Sequence, residues 1–150
     1  ITEGVIDEAL ASDNTAKGAE FAAQAKAALP TPEAKNAAWS SLVDSDRLPN
    51  TLVRAAGLGF THPAGVLLLD EFVDQYFAML LPVWESRTYK IAEYLVLGLY
   101  PAPLANAKLR DATRAWLSAN GEAPAALRRL VAENLAGVER ALAVQERDAL

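Results

Sequence analysis

The chain has 150 residues, a mass of 16.0 kDa, no cysteine, one histidine and a formal charge of -5, from 14 Lys and Arg against 19 Asp and Glu. No apolar run approaches the roughly 20 residues of a membrane span, the lack of cysteine excludes a disulfide framework, and the scattered basic residues offer nucleic acid no clustered face. A hydrophobic share of 52% supplies one real core, and surface scaling for this mass leaves about 7,400 Å² exposed with about two-thirds buried. The expected organisation is one helical domain over residues 1–150, and the opening at Ile1 without methionine reads as a piece of a longer chain. A cytoplasmic setting is the default.

Val5, Ile6, Ala9 and Leu10 make a short apolar stripe. A second helix is predicted from about Thr15 to Leu29, with an alanine-rich face around one large anchor, Phe21, because alanine costs little side-chain entropy and lets a neighbour approach. Thr31-Pro32-Glu33 restarts the chain with an N-cap, a proline at the first helical position and an acid at the positive end of the dipole. Ala34, Ala38, Trp39, Leu42 and Val43 give this third helix its buried stripe. Asp44-Ser45-Asp46 breaks it, and a short helix from about Pro49 to Leu58 follows, with Gly57 and Gly59 as its frayed exit.

From Pro63 to Leu80 the residues Leu68, Phe72, Tyr76 and Leu80 repeat at helical spacing, and Pro82 ends or kinks that helix. Trp84 to Tyr100 is predicted as the sixth helix, Pro103 to Ala119 as the seventh, and the last follows Pro124 with Leu127, Leu130, Val131, Leu135, Val138 and Leu142 facing inward. The fold class is therefore all-α, about eight helices in antiparallel pairs because the connections are short. Pairs of about 30 to 40 residues fall in the range of HEAT and armadillo units. A compact orthogonal bundle is the rival arrangement.

Little on these helices is reactive. A zinc site of the His-Glu-x-x-His type needs two imidazoles one turn apart, whereas His62 stands alone before Pro63 and reads as an N-cap-region or surface residue. Asp70 and Asp74 share a side, but it points away from the Phe72 and Tyr76 core, where water keeps both ionised. Gly57-Leu58-Gly59 lacks the strand context of a phosphate loop, and Asp44 and Asp46 lack an EF-hand loop. Trp39, Trp84 and Trp116 read as core anchors, and the Arg128-Arg129 pair followed by Glu133 as a solvated helix face. The residues with a functional reading are Arg54, Arg87 and Lys90, cations placed to line a concave surface of a curved array. No catalytic, metal or cofactor-binding residue is expected.

The segments Pro30-Thr31-Pro32-Glu33-Ala34-Lys35, Asn50-Thr51-Leu52-Val53-Arg54-Ala55, Gly59-Phe60, Tyr76-Phe77, Trp84 to Arg87 followed by Thr88, and Leu99-Tyr100-Pro101 resemble the carboxy-terminal helical domain of actinobacterial M1-family zinc aminopeptidases. Asp13-Asn14-Thr15-Ala16 with Gly18, and Ala37-Ala38-Trp39, fit the same pattern, so the resemblance covers nearly the whole chain. It implies a HEAT- or armadillo-like right-handed superhelical array that packs over the catalytic domain of the same parent chain, encloses the peptide-binding cavity and limits entry. The zinc and its ligands then belong to the preceding catalytic domain. The parent would remove amino-terminal residues from peptides, and this fragment alone would be inactive. The alternative is a freestanding helical-repeat adaptor for another protein. The two differ in one expectation: an accessory domain leaves an apolar flank uncovered, and an adaptor is capped at both ends.

Overall fold

A computed structural model describes residues 1–150, in which eight α-helices account for most of the chain and no strand occurs. They are α1 (Glu3–Ser12), α2 (Ala16–Ala28), α3 (Pro32–Trp39), α4 (Asn50–Phe60), α5 (Val73–Ser86), α6 (Tyr89–Gly98), α7 (Ala107–Ala119) and α8 (Ala125–Asp148). Five starts share one device. The side chains of Thr2, Thr15, Thr31, Thr88 and Asn106 each accept a hydrogen bond from the amide three residues on, satisfying one of the orphan donors of a first turn.

Neighbours in sequence pair, α1 with α2, α3 with α4, α5 with α6 and α7 with α8, while α2 lies along α4, α4 along α6 and α6 against α8. The even-numbered helices thus form a continuous row, with the odd-numbered helices against it. One core of 25 buried residues runs from Ala27 to Val138. Its aromatic centre is Trp39, Phe60 and Phe72, with ring centroids 5.1 to 5.7 Å apart.

Small residues decide how tightly the row packs. A methyl group at Gly59 would fall 2.0 Å from the carbonyl oxygen of Gln24, and Gly57 faces Gly98 across the α4–α6 contact. Gly57 and Gly59 are therefore buried packing positions inside α4, which continues to Phe60, and not a frayed exit. Phe21, expected as the anchor of α2, is 61% exposed. The inward positions of α2 are Gly18, Ala22 and Ala27, which admit α4 at a distance that a phenylalanine would forbid.

The helix expected from Pro63 to Leu80 is two elements. Residues Pro63–Phe72 wind as a 3₁₀ segment interrupted at Gly65, and Leu69 and Phe72 are buried at its three-residue period. Pro82 does not end α5, which continues to Ser86 and keeps Trp84. The loss of one amide bond at Pro82 is tolerated at an exposed position, where the Ser86 hydroxyl donates to the Pro82 carbonyl at 2.8 Å. The sixth helix consequently starts at its Thr88 cap and not at Trp84. Likewise Ala102–Leu104 form a 3₁₀ turn, and α7 waits for the Asn106 cap.

Buried polar groups hold the far half together. The Tyr76 hydroxyl donates to the Val96 carbonyl at 2.6 Å, and the Asn134 amide donates to both at 3.1 Å, joining α5, α6 and α8. Burial pushes the Tyr76 phenol well above its ordinary pKa, so it stays a neutral donor. Thr113 spends its proton on the Leu109 carbonyl at 2.7 Å, which makes Tyr100 the donor in their 2.8 Å contact. Tyr76→Phe is expected to cost about 1 to 2 kcal/mol, read from urea unfolding with an unchanged m-value.

Candidate docking and cavity-lining surfaces

Three cations satisfy carbonyls at helix ends, where the backbone carries its negative partial charge. Lys35 has no exposed surface, and its ammonium donates to the carbonyls of Ala27 at 2.7 Å and Phe60 at 3.0 Å, closing α2 and α4 together. Burial lowers its pKa. Arg128, read from sequence as part of a solvated face, is half-buried and donates to the Leu117 and Asn120 carbonyls at 2.7 and 2.8 Å. Its position one turn into α8 brings it onto the end of α7.

Arg87 behaves in the same way. Its guanidinium donates to the Leu42 and Val43 carbonyls at 3.2 and 2.8 Å, fastening the single π-helical turn Ser40–Asp44 that extends α3. It also borders a cavity of about 380 Å³ with Trp39, Met79 and Pro82. Arg54 lies in the middle of α4, exposed, and pairs with no carboxylate. Lys90 lies exposed at the start of α6, 5.0 Å from the centre of the Tyr94 ring and 3.9 Å from Glu93. Arg54 and Lys90 thus project from adjacent helices of the even row, and Arg87 is turned to the backbone of the odd row.

A sequence pattern repeats along that row. A cation is followed one turn later by an apolar or aromatic residue: Lys17 and Phe21 on α2, Arg54 and Leu58 on α4, Lys90 and Tyr94 on α6. The intervals are about 37 residues, within the range of helix-pair repeats. Lys17 sits 5.4 Å from the centre of the Phe21 ring. Leu58 and Leu97, 51% and 40% exposed, adjoin Gly57 and Gly98, so the crossing of α4 and α6 carries an apolar strip beside Arg54. The pairs fall on neighbouring helices because α2, α4 and α6 lie side by side.

A second surface lies at the first pair. Lys26 holds α1 to α2 through Asp7 at 2.6 Å, a hydrogen bond that raises the lysine pKa, with Glu3 at 3.8 Å adding to it. Two apolar-lined hollows flank this clasp. One side is a cavity of about 790 Å³ floored by Ala23, Ala27, Ala34 and Ala38, and the other a trough of about 380 Å³ walled by Val5, Ile6, Phe21 and Ala22. Ile1 borders both. The accessible surface totals 8352 Å², about 1,000 Å² more than scaling gives for a self-contained chain of this mass.

No three His, Asp or Glu side chains converge in a way that could hold a metal ion. His62 accepts the Ala64 amide at 3.2 Å as the cap of the 3₁₀ segment. Asp70 faces Lys108 at 3.0 Å across two exposed elements, and Asp74 is exposed. No helix is long and apolar enough by itself to cross a membrane.

The layered pairs define an all-helical array with two apolar-lined hollows at its first pair. The family model for the ERAP1-like C-terminal domain matches residues 2–140, and the chain belongs to that family. It is also similar to an aminopeptidase N of Streptomyces lividans, 46% identical over 137 residues, which is 91% of this chain and 16% of that protein.

Proposed function

We propose that this chain is the non-catalytic carboxy-terminal domain of a zinc aminopeptidase, one that encloses the peptide-binding cavity and limits what enters it. The observation that carries the reading is the apolar flank at α1 and α2, which a freestanding adaptor would cover. Similarity to an aminopeptidase N that is far longer than this chain supports it. On this reading the catalytic domain of the same parent chain is the partner, peptides are the substrate, and the zinc sits in that other domain. The array takes the right-handed superhelical sense of its family and presents the row α2, α4 and α6 to the cavity.

Arg54 and Lys90, with Leu58 and Leu97 between them, then line the outer cavity and meet only those peptides long enough to reach them. Arg87 borders the neighbouring wall, and its carbonyl contacts make it a poor choice for a test. In the full-length enzyme, Arg54→Ala is expected to lower kcat/KM for a peptide of eight or so residues about fivefold, the worth of one exposed charge contact, with an amino-acid anilide unaffected. Equal losses for both substrates would remove Arg54 from the cavity.

A further inference from the structure

The turn that joins α7 to α8 holds the one asparagine of the chain that is followed by glycine, Asn120-Gly121. Asn120 ends α7 outside the helical basin, at φ -120° and ψ 47°. Its backbone amide and its side-chain amide both donate to the Trp116 carbonyl, at 3.0 and 2.9 Å, and its carbonyl accepts from the Ala123 amide at 3.1 Å and from Arg128 at 2.8 Å. The next amide is different. The Gly121 N–H has no acceptor in the protein, Gly121 is exposed, and a methyl group there would meet nothing within 4 Å. A backbone nitrogen with no partner and no Cβ beside it thus follows directly on a partly exposed side-chain carboxamide.

We propose that Asn120 is a site of spontaneous covalent modification, deamidation through a cyclic imide, and that the change loosens the α7–α8 pair. The Gly121 nitrogen bonds to the Asn120 Cγ and gives its proton to water, while the side-chain nitrogen takes up a proton and leaves as ammonia. Water then opens the imide at one of its two carbonyls, leaving aspartate or isoaspartate. No oxidant, reductant or enzyme enters the balance. The rotation about ψ of Asn120 that brings the two atoms together has to release its carbonyl from Ala123 and Arg128, so the folded turn slows the reaction, but the Gly121 nitrogen itself has no bond to give up. Both products remove the donor to the Trp116 carbonyl and add a carboxylate at the end of α7, where the backbone already carries negative partial charge. Isoaspartate also carries the side-chain methylene into the main chain, which lengthens a connection that Arg128 fastens through Leu117 and Asn120. Because α8 packs on α6 as well as α7, slack here reaches the even row.

The test incubates the folded full-length protein at mildly alkaline pH and follows the tryptic segment Ala115–Arg128, in which Asn120 is the only side-chain amide. The segment Ile91–Lys108, in which Asn106 precedes alanine, is the internal control. The expected result is conversion of the first segment to two products heavier by the exchange of an amide NH2 for OH, the isoaspartyl form in excess, with the control unchanged. Gly121→Ala, which has room for its methyl and no positive φ to strain, should slow the conversion about tenfold. Hydrogen exchange in the last turn of α7 and the first turn of α8 should be faster in the converted protein. Conversion no faster than at Asn106, conversion seen only in urea, or a rate indifferent to Gly121→Ala would overturn the modification. Unaltered exchange in the converted protein would overturn its effect on the helix pair.

Discussion

Replacing Lys35 by methionine should destabilise the fold by about 3 kcal/mol, a fall of roughly 6 to 12 °C in Tm for a domain of this size. Methionine matches the length of the side chain but donates nothing. The Ala27 and Phe60 carbonyls, which close α2 and α4, would be left inside without their present donor. Relief of the lysine's desolvation offsets part of the loss, which is why the net cost stays well below the sum of two charged hydrogen bonds. The pH dependence has a definite sign. Burial lowers the folded pKa of Lys35 below the ordinary 10.5, so between the two values the unfolded chain binds more protons and stability rises with pH. The advantage of the native protein over Lys35→Met should therefore widen as pH climbs toward 10.5. An advantage that stays flat or shrinks would mean that the ammonium is not shielded from water.

Two glycines, two residues apart on one helix, should respond with opposite signs. At Gly59 an added methyl meets the Gln24 carbonyl oxygen at 2.0 Å and the Ala27 methyl at 3.0 Å. Backbone cannot swing aside as a side chain can, so α2 must separate from α4. Gly59→Ala is expected to cost about 3 kcal/mol, the upper end for overpacking, even after the gain in helix propensity. At Gly57 the new methyl sits 3.9 Å from the Gly98 Cα, an ordinary contact, and Gly57→Ala should stabilise by about 0.5 to 1 kcal/mol. Chemical denaturation of both variants decides the matter. Equal responses would show that α2 and α4 are not in the close register described.

The helices that sequence located best are those with both a cap and a stripe. Thr31-Pro32 starts α3 as its residue types require, and the last helix buries or half-buries each of the six apolar residues assigned to its inner side. The errors come from residues whose meaning depends on a neighbour far along the chain. Phe21 has the chemistry of an anchor, but the approach of Gly59 reserves the inner side of α2 for glycine and alanine. Pro82 carries a strong local stop signal, and α5 passes through it because Tyr76, Met79, Leu80 and Val83 keep both halves on one core. Nothing in the sequence around Lys35 marks it as buried. Only the meeting of two helix ends separated by more than 30 residues turns it into a buried tie.

Arg54 and Lys90 project from neighbouring helices, whereas Arg87 and Arg128 are held by backbone carbonyls that no local pattern announces. The cation and apolar pairs of α2, α4 and α6 fall on adjacent helices only because of the row in which those helices stand.

The most direct test of a non-catalytic wall facing an active site is a pair of distances. These 150 residues contain no cysteine, so with any cysteines of the rest of the full-length enzyme replaced, Leu58→Cys and Leu67→Cys give defined spin-label sites on the even row and on the 3₁₀ segment, at positions 51% and 86% exposed. With Mn²⁺ exchanged for zinc in the full-length enzyme, pulsed electron paramagnetic resonance should place the metal closer to position 58 than to position 67. Each distribution should be narrow. The reverse order, or a metal distance to position 58 too broad to define, would contradict the account.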